Sequence, residues 1–236
     1  MSNKINQAFI LAAGLGSRMR PLTITTPKPL IKVNDKAILA YTIERLASFG
    51  VSKIVINSHY LAEQIQEFIT QIKSQYPYIN FIVIYEPILM DSGGGCKNAL
   101  KYLDNAPFFA INGDIIWLDD QNNTLEALND FWNKNTLIDC LMLANPLNKT
   151  IGYNGMGDLD ITDQNQVTKQ SKRYVFTGIQ ILSPAALLHF NQDFFSLLEI
   201  YFSNDFTTKA LININYWLHI GTPENLAQAS EFLSNL

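Results

Sequence analysis

Cysteine is scarce: Cys96 and Cys140 are the only two in 236 residues. Two thiols at that spacing build no disulfide framework and match no metal-site pattern. They read as buried thiols in a reducing compartment. Charge is also scarce, at 16% of residues with a net charge of −4, which argues against nucleic-acid binding through bulk charge. Long apolar runs are missing. The opening "MSNKINQ" lacks an apolar core of signal-peptide length, and no run approaches the ~18 apolar residues of a membrane span. The expectation is a soluble, cytoplasmic protein that engages neither nucleic acid nor membrane. In that setting the sequons at Asn122 and Asn148 carry no meaning. With 47% hydrophobic residues, the chain is long and apolar enough to bury a sizeable core.

What the sequence does have is alternation. Within residues 7–12 the stretch "AFILA" is a short, fully apolar run, as strands of a parallel sheet covered on both faces are. Residues 36–49 place Ile38, Leu39, Ile43, Leu46 and Phe49 at helical spacing, and Gly50 follows as a stop. "KIVINS" predicts a second strand, 61–74 an amphipathic helix, and "FIVIYE" a third strand. A helix at 95–103 follows "SGGG". "PFFAIN" then predicts a fourth strand, 124–134 a helix and "LIDCLMLAN" a further strand. Strand and helix alternating in this way predict a doubly wound, mostly parallel α/β sheet of Rossmann-like type.

From residue 146 the composition changes to Asn, Gly and Asp, which predicts loops and short hairpins. "YVFTGIQIL" predicts a strand. Ser183 and Pro184 open a helix, and Thr222 caps a last one over 223–234. The chain reads as one domain, with a core over 1–145 and a smaller, β-rich part over 146–236.

The chemistry concentrates in "FILAAGLGSRMRPLTITTPKPL". A glycine pair after a strand lets backbone N–H groups face an anion with no side chain in the way. Two phosphate-binding motifs fail on spacing. A P-loop needs Lys after its second glycine, and here Ser17-Arg18 follow Gly16. The dinucleotide fingerprint needs a third glycine and an acid ending the second strand. Position 19 is Met, and that strand ends at Asn57-Ser58.

The stretch instead resembles the signature of sugar-1-phosphate nucleotidyltransferases, G-x-G-[ST]-R-[LM]-x-P-L-T followed by P-K-P. Gly14, Gly16, Ser17, Arg18, Met19, Pro21, Leu22, Thr23, Pro27, Lys28 and Pro29 all match. The resemblance implies that Leu11, Ala12, Ala13, Gly14, Gly16, Ser17, Arg18 and Lys28 bind the nucleotide, with Arg18 and Lys28 catalytic. The physics is consistent with that. An Arg fork suits the β and γ phosphates, and a lysine reaching in from an extended, proline-braced stretch suits the α-phosphate or the sugar phosphate. Arg20 reads equally well as a surface cation.

Three further stretches extend the resemblance. "EPILMDSGGGCKNAL" is similar to the family's base-reading loop, which implies Glu86, Gly93 and Gly94 near a pyrimidine; the bland reading is a plain helix N-terminus. Cys96 beside it could suggest a nucleophile, but the family uses no thiol. "FFAINGDIIW" places Asp114 just past a central strand, where open α/β sheets bind ligands, and a hard Mg²⁺ wants such a carboxylate. The resemblance implies that Asn112 contacts the sugar. It also implies Gly157, Asp158, Thr177 and Gly178 as sugar contacts in the 146–236 part.

"NYWLHIGTPENL" departs from the pattern W-x-D-x-G-T. His219 stands where the family's second metal-binding Asp is expected. Imidazole is a poor ligand for Mg²⁺ and a better one for Mn²⁺. Three readings stay open: one carboxylate with weaker metal binding, a softer metal, or a nucleotide-binding homologue without turnover. The chain as a whole resembles the short bacterial branch of the family that joins UTP to N-acetylmuramate 1-phosphate in cell-wall recycling. The expected partners are therefore UTP and a sugar 1-phosphate with Mg²⁺ (or Mn²⁺), bound to a monomer or small homo-oligomer. Glucose-1-phosphate thymidylyl or uridylyl transfer and mannose-1-phosphate guanylyl transfer are the family alternatives.

Overall fold

The computed structural model describes residues 4–135, 137–169 and 171–236. The first three residues of "MSNKINQ" lie outside them. Among the described residues, seven strands form the central sheet: β1 Gln7–Leu11, β2 Lys53–Ser58, β3 Asn80–Tyr85, β4 Phe108–Asn112, β5 Cys140–Pro146, β6 Tyr174–Leu182 and β7 Thr208–Ile212. Their spatial order is β7-β5-β6-β4-β1-β2-β3. The β1–β2, β1–β4, β2–β3 and β5–β7 pairs are parallel, and β6 runs antiparallel to both β4 and β5. The chain order reverses beside β1, which opens the crevice that doubly wound sheets use for ligands. Both β6 and β7 come from the 146–236 part, so that part completes the sheet.

Each strand is apolar because both of its faces are covered. Ala8, Ile10, Ile54 and Ile56 pack with α1 (Ile38–Phe49), α2 (Ala62–Ile72) and α4 (Thr124–Lys134), the last named in chain order after α3 (Asp91–Ala99). Phe9, Val55 and Ala110 point the other way, onto α3 and α5 (Pro184–Leu188). Four elements keep their expected bounds, the strands 53–58 and 174–182 and the helices 124–134 and 223–234. Asn123 and Thr222 cap the two helices by accepting from the backbone N–H groups of Glu126 and Asn225. Ser183 makes no such side-chain cap. A small second sheet joins Ile115–Trp117, Thr150–Ile151 and Trp217–His219, and holds the C-terminal part against the end of β4. Among the described residues, no helix is long and apolar enough to cross a membrane.

Two local expectations change. The helix expected at 95–103 begins at Asp91, so the three glycines lie inside it. Lys28–Leu30 is a 3-10 turn rather than an extended stretch; Pro27 alone is extended, and Pro29 fits the first turn.

Candidate active site

The carboxyl ends of four neighbouring parallel strands converge on one cavity of about 530 Å³, within the range of small-molecule sites. After β1 come Leu11, Ala12, Ala13, Gly14, Gly16, Ser17 and Arg18. The end of β2 supplies Asn57, the residue after β3 is Glu86, and the end of β4 brings Asn112, Gly113 and Asp114. Lys28 and Gly221 close the wall.

The 14–18 loop stands open. None of the backbone hydrogen bonds among the described residues has a Gly14–Arg18 N–H as its donor; the loop's own turn is closed by Met19 N–H donating to the Gly16 carbonyl at 2.9 Å. Gly16 is left-handed at φ 61°, and a Cβ there would meet Thr23 Cγ2 at 2.9 Å, so glycine is required. Thr23 Oγ1 donates to the Gly16 carbonyl at 2.8 Å and pins the turn. A Cβ on Gly14 would meet nothing within 4 Å, since that side faces the cavity. Arg18 is exposed and takes part in none of the ion pairs among the described residues. A row of unengaged N–H donors beside an unpaired guanidinium has the chemistry to hold an anion.

Across the cavity Lys28 Nζ donates to Asp114 Oδ2 at 2.6 Å, with side-chain exposures of 10% and 26%. The 3-10 turn aims the lysine inward. On the β2–β3 side of the cavity, Asn57 Oδ1 accepts from Ala12 N–H at 2.6 Å, while its amide donates to Glu86 Oε1 at 3.0 Å. Burial raises the Glu86 pKa, opposed by the Asn57 hydrogen bond and His59.

His219 sits behind this wall. Its ring stacks on Trp217 at 5.7 Å and lies against Gly221, where a Cβ would be 2.6 Å from His219 Cε1. Burial lowers its pKa; Asp114 and a backbone hydrogen bond with Gly152 oppose that, and Lys28 and Arg18 add to it. Among the described residues, no three His, Cys, Asp or Glu side chains gather as a metal cage. The donors near Lys28 that would serve a divalent ion are the Asp114 carboxylate and, behind the wall, the His219 imidazole. That set fits a hard divalent ion only when phosphate oxygens supply most of its ligands.

A family model described as nucleotidyl transferase matches residues 7–235. The chain belongs to that family. Its relatives are sugar-1-phosphate nucleotidyltransferases. It is 29% identical over 231 residues to the N-acetylmuramate alpha-1-phosphate uridylyltransferase of Caulobacter vibrioides, covering 95% of each chain. Over 113 residues it is 38% identical to a mannose-1-phosphate guanyltransferase of Hypocrea jecorina, a match that spans 47% of this chain and 30% of that protein. The crystal structure of HddC from Yersinia pseudotuberculosis complexed with GMP-PN superposes with a TM-score of 0.78 at 27% identity, over 97% of this chain and 100% of that one.

Within this member of the family, several expected contacts lie away from the cavity. Gly93 and Gly94 N–H groups both donate to the Phe195 carbonyl, at 3.0 and 3.1 Å. Cβ atoms there would sit 2.4 Å from the Phe195 ring and 2.1 Å from the Asp193 carbonyl. Those glycines admit a strap of chain, and Met90, Asp91 and Ser92 line the cavity instead. Asp158 accepts from the Tyr153 hydroxyl at 3.0 Å and from Phe176 N–H at 3.1 Å, one bond on each carboxylate oxygen, and it is not among the residues lining the cavity. At Gly157 a Cβ would lie 1.9 Å from the Lys172 carbonyl, so that glycine serves a close backbone approach. Thr177 is buried and donates to the Leu143 carbonyl at 2.9 Å. Gly178 makes room for Asn112, whose Nδ2 would be 2.6 Å from a Cβ there. Cys96 is fully buried, and burial pushes its thiol pKa up, so it is no nucleophile. Asn57 is the functional candidate that the sequence reading missed. Its signal was the polar pair Asn57-Ser58 ending an otherwise apolar strand.

Proposed function

We propose that this chain transfers a uridylyl group from UTP to a sugar 1-phosphate, N-acetylmuramate 1-phosphate, and releases pyrophosphate. The observation that carries the reading is the open Gly14–Arg18 loop facing the Lys28–Asp114 pair across one cavity. The uridylyltransferase relative aligned over 95% of both chains supports the choice of substrates.

In this reading the loop N–H groups and Arg18 hold the triphosphate, and Arg18 stays on the leaving pyrophosphate. Lys28 neutralises the α-phosphate as the sugar phosphate oxygen attacks in line. No general base is needed, because that oxygen is already ionised at neutral pH. Most of the rate comes from positioning and charge neutralisation. Asn112 is the polar group available to the sugar. Asp114 is the residue that would hold a divalent ion, which when bound screens charge on phosphate oxygens.

Guanylyl transfer is the second reading, and Glu86 favours it. One carboxylate oxygen takes the Asn57 amide, which leaves the other to accept from a base. Guanine offers adjacent N1–H and N2–H donors, whereas uracil offers a single N3–H flanked by acceptors. Thermal shifts with UTP and GTP at equal concentration separate the two. A larger shift with UTP supports uridylyl transfer; a larger shift with GTP assigns the guanylyl reading.

A further inference from the structure

The two edges of the central sheet are treated differently. At β7, Lys209 bridges to Gln166, and Ala210 N–H donates to the Asn165 carbonyl at 2.9 Å, so a turn covers that edge. At β3, among the described residues, no element beyond β2 pairs with the strand.

The hydrogen-bond register shows which groups face outward. Asn80 N–H donates to Ser52 and Glu86 N–H to Ser58, so the even-numbered residues of β3 face β2. In a parallel ladder the same residue gives both its N–H and its C=O to one neighbour. Phe81, Val83 and Tyr85 therefore turn their N–H and C=O groups to the open edge. Natural edges are blunted with charge, proline or a bulge. The stretch from Tyr78 to Tyr85, "YINFIVIY", has no charged residue and no proline, and Tyr78 and Tyr85 are 90% and 62% exposed. Such an edge calls for a partner strand.

We propose that β3 pairs antiparallel with β3 of a second copy of this chain, about a two-fold axis at Val83. In that register Val83 faces Val83, and Phe81 faces Tyr85. The three outward residues of each copy then exchange about six hydrogen bonds, and each edge satisfies the other. Charge supports a second copy as the occupant. Glu63 in the first turn of α2 and Glu67 one turn on line a hollow with Val83 and Tyr85 at one end of β3. Tyr76 packs on Phe81 at 6.2 Å, which brings the turn carrying Lys73 to the other end. The two-fold sets the acidic end of one copy against the lysine end of the other, twice.

Sedimentation of the full chain, with cysteine and charge variants, tests this. The wild type is expected at twice 26.7 kDa. Val83→Cys should form a reducible inter-chain disulfide on mild oxidation, because paired antiparallel residues lie within disulfide reach. Cys96 and Cys140 are buried and do not compete. Phe81→Cys, which faces Tyr85, should not cross-link. Lys73→Glu should weaken the dimer at least tenfold, and the triple reversal Glu63→Lys, Glu67→Lys, Lys73→Glu should restore it. That restoration separates lost complementarity from a damaged fold. A 26.7 kDa monomer at about 100 μM, whether its edge is left bare or kept for another protein's strand, overturns the proposal. So does a dimer in which Val83→Cys fails to cross-link, or in which Lys73→Glu has no effect.

Discussion

Lys28 Nζ and Asp114 Oδ2 lie 2.6 Å apart although 86 residues separate them in the chain. One comes from a turn between two prolines, the other from the end of β4. Together they put a buried cation and the one acidic group paired with it on the wall opposite the Gly14–Arg18 loop.

Removing the lysine should therefore hurt chemistry more than binding. Lys28→Ala is expected to lower kcat/KM by roughly 10², the scale for losing one group that stabilises transferring charge. Steady-state kinetics read it, and a wild-type rate in that variant removes Lys28 from the mechanism.

His219 makes the opposite prediction. Replacing a neutral, half-buried imidazole next to Asp114 with a second carboxylate gives a hard ion the ligand it prefers. His219→Asp should raise kcat in Mg²⁺ at least tenfold, about 1.4 kcal/mol of barrier. An unchanged or lower rate shows that the ion does not lean on this position.

Two glycines of the same composition should respond to alanine in opposite ways. In Gly94→Ala the new Cβ lands 2.1 Å from the Asp193 carbonyl, and overpacking of this kind costs about 1–3 kcal/mol. The Tm should fall by about 5 °C, on the scale of a few degrees per kcal/mol. Gly14→Ala meets nothing within 4 Å and should leave the Tm within about 2 °C, while the stabilisation by UTP shrinks. Differential scanning calorimetry with and without nucleotide reads both. Equal Tm losses in the two variants contradict the assignment of Gly14 to the ligand.

Glu86 gives a pH signature. Burial raises its folded-state pKa above the ordinary 4.5, so the folded state holds the proton more tightly than the unfolded chain. Its contribution is fully present below pH 4.5 and is lost as pH rises through the folded value. Glu86→Gln keeps an oxygen for Asn57 and carries no charge. The variant should therefore gain stability over wild type as pH rises from 4 to 7. Denaturant midpoints at the two ends measure it, and a constant difference rejects the cause.

Much of this was legible in the residues, for definable reasons. Helices 124–134 and 223–234 announce themselves by periodicity and by Asn123 and Thr222 caps, all local signals. The start of α3 was hidden because three glycines are poor helix formers, and the helix is held there by the Phe195 carbonyl, about a hundred residues away. Arg18, Lys28 and Asp114 stand in dense local motifs, yet no spacing reveals that Lys28 and Asp114 touch. Asp158 and Thr177 are expected as sugar contacts only through the family resemblance, and no local signal says what they touch. Their partners, Tyr153, Phe176 and Leu143, come from the tertiary fold.

The most direct measurement is pyrophosphate release by the purified chain from UTP, with and without N-acetylmuramate 1-phosphate, in Mg²⁺ and then Mn²⁺. The account predicts release that needs the sugar phosphate and yields the UDP-sugar in equal amount. No release from any nucleotide with any sugar 1-phosphate, while UTP still raises the Tm, would contradict it and leave a nucleotide-binding protein in its place.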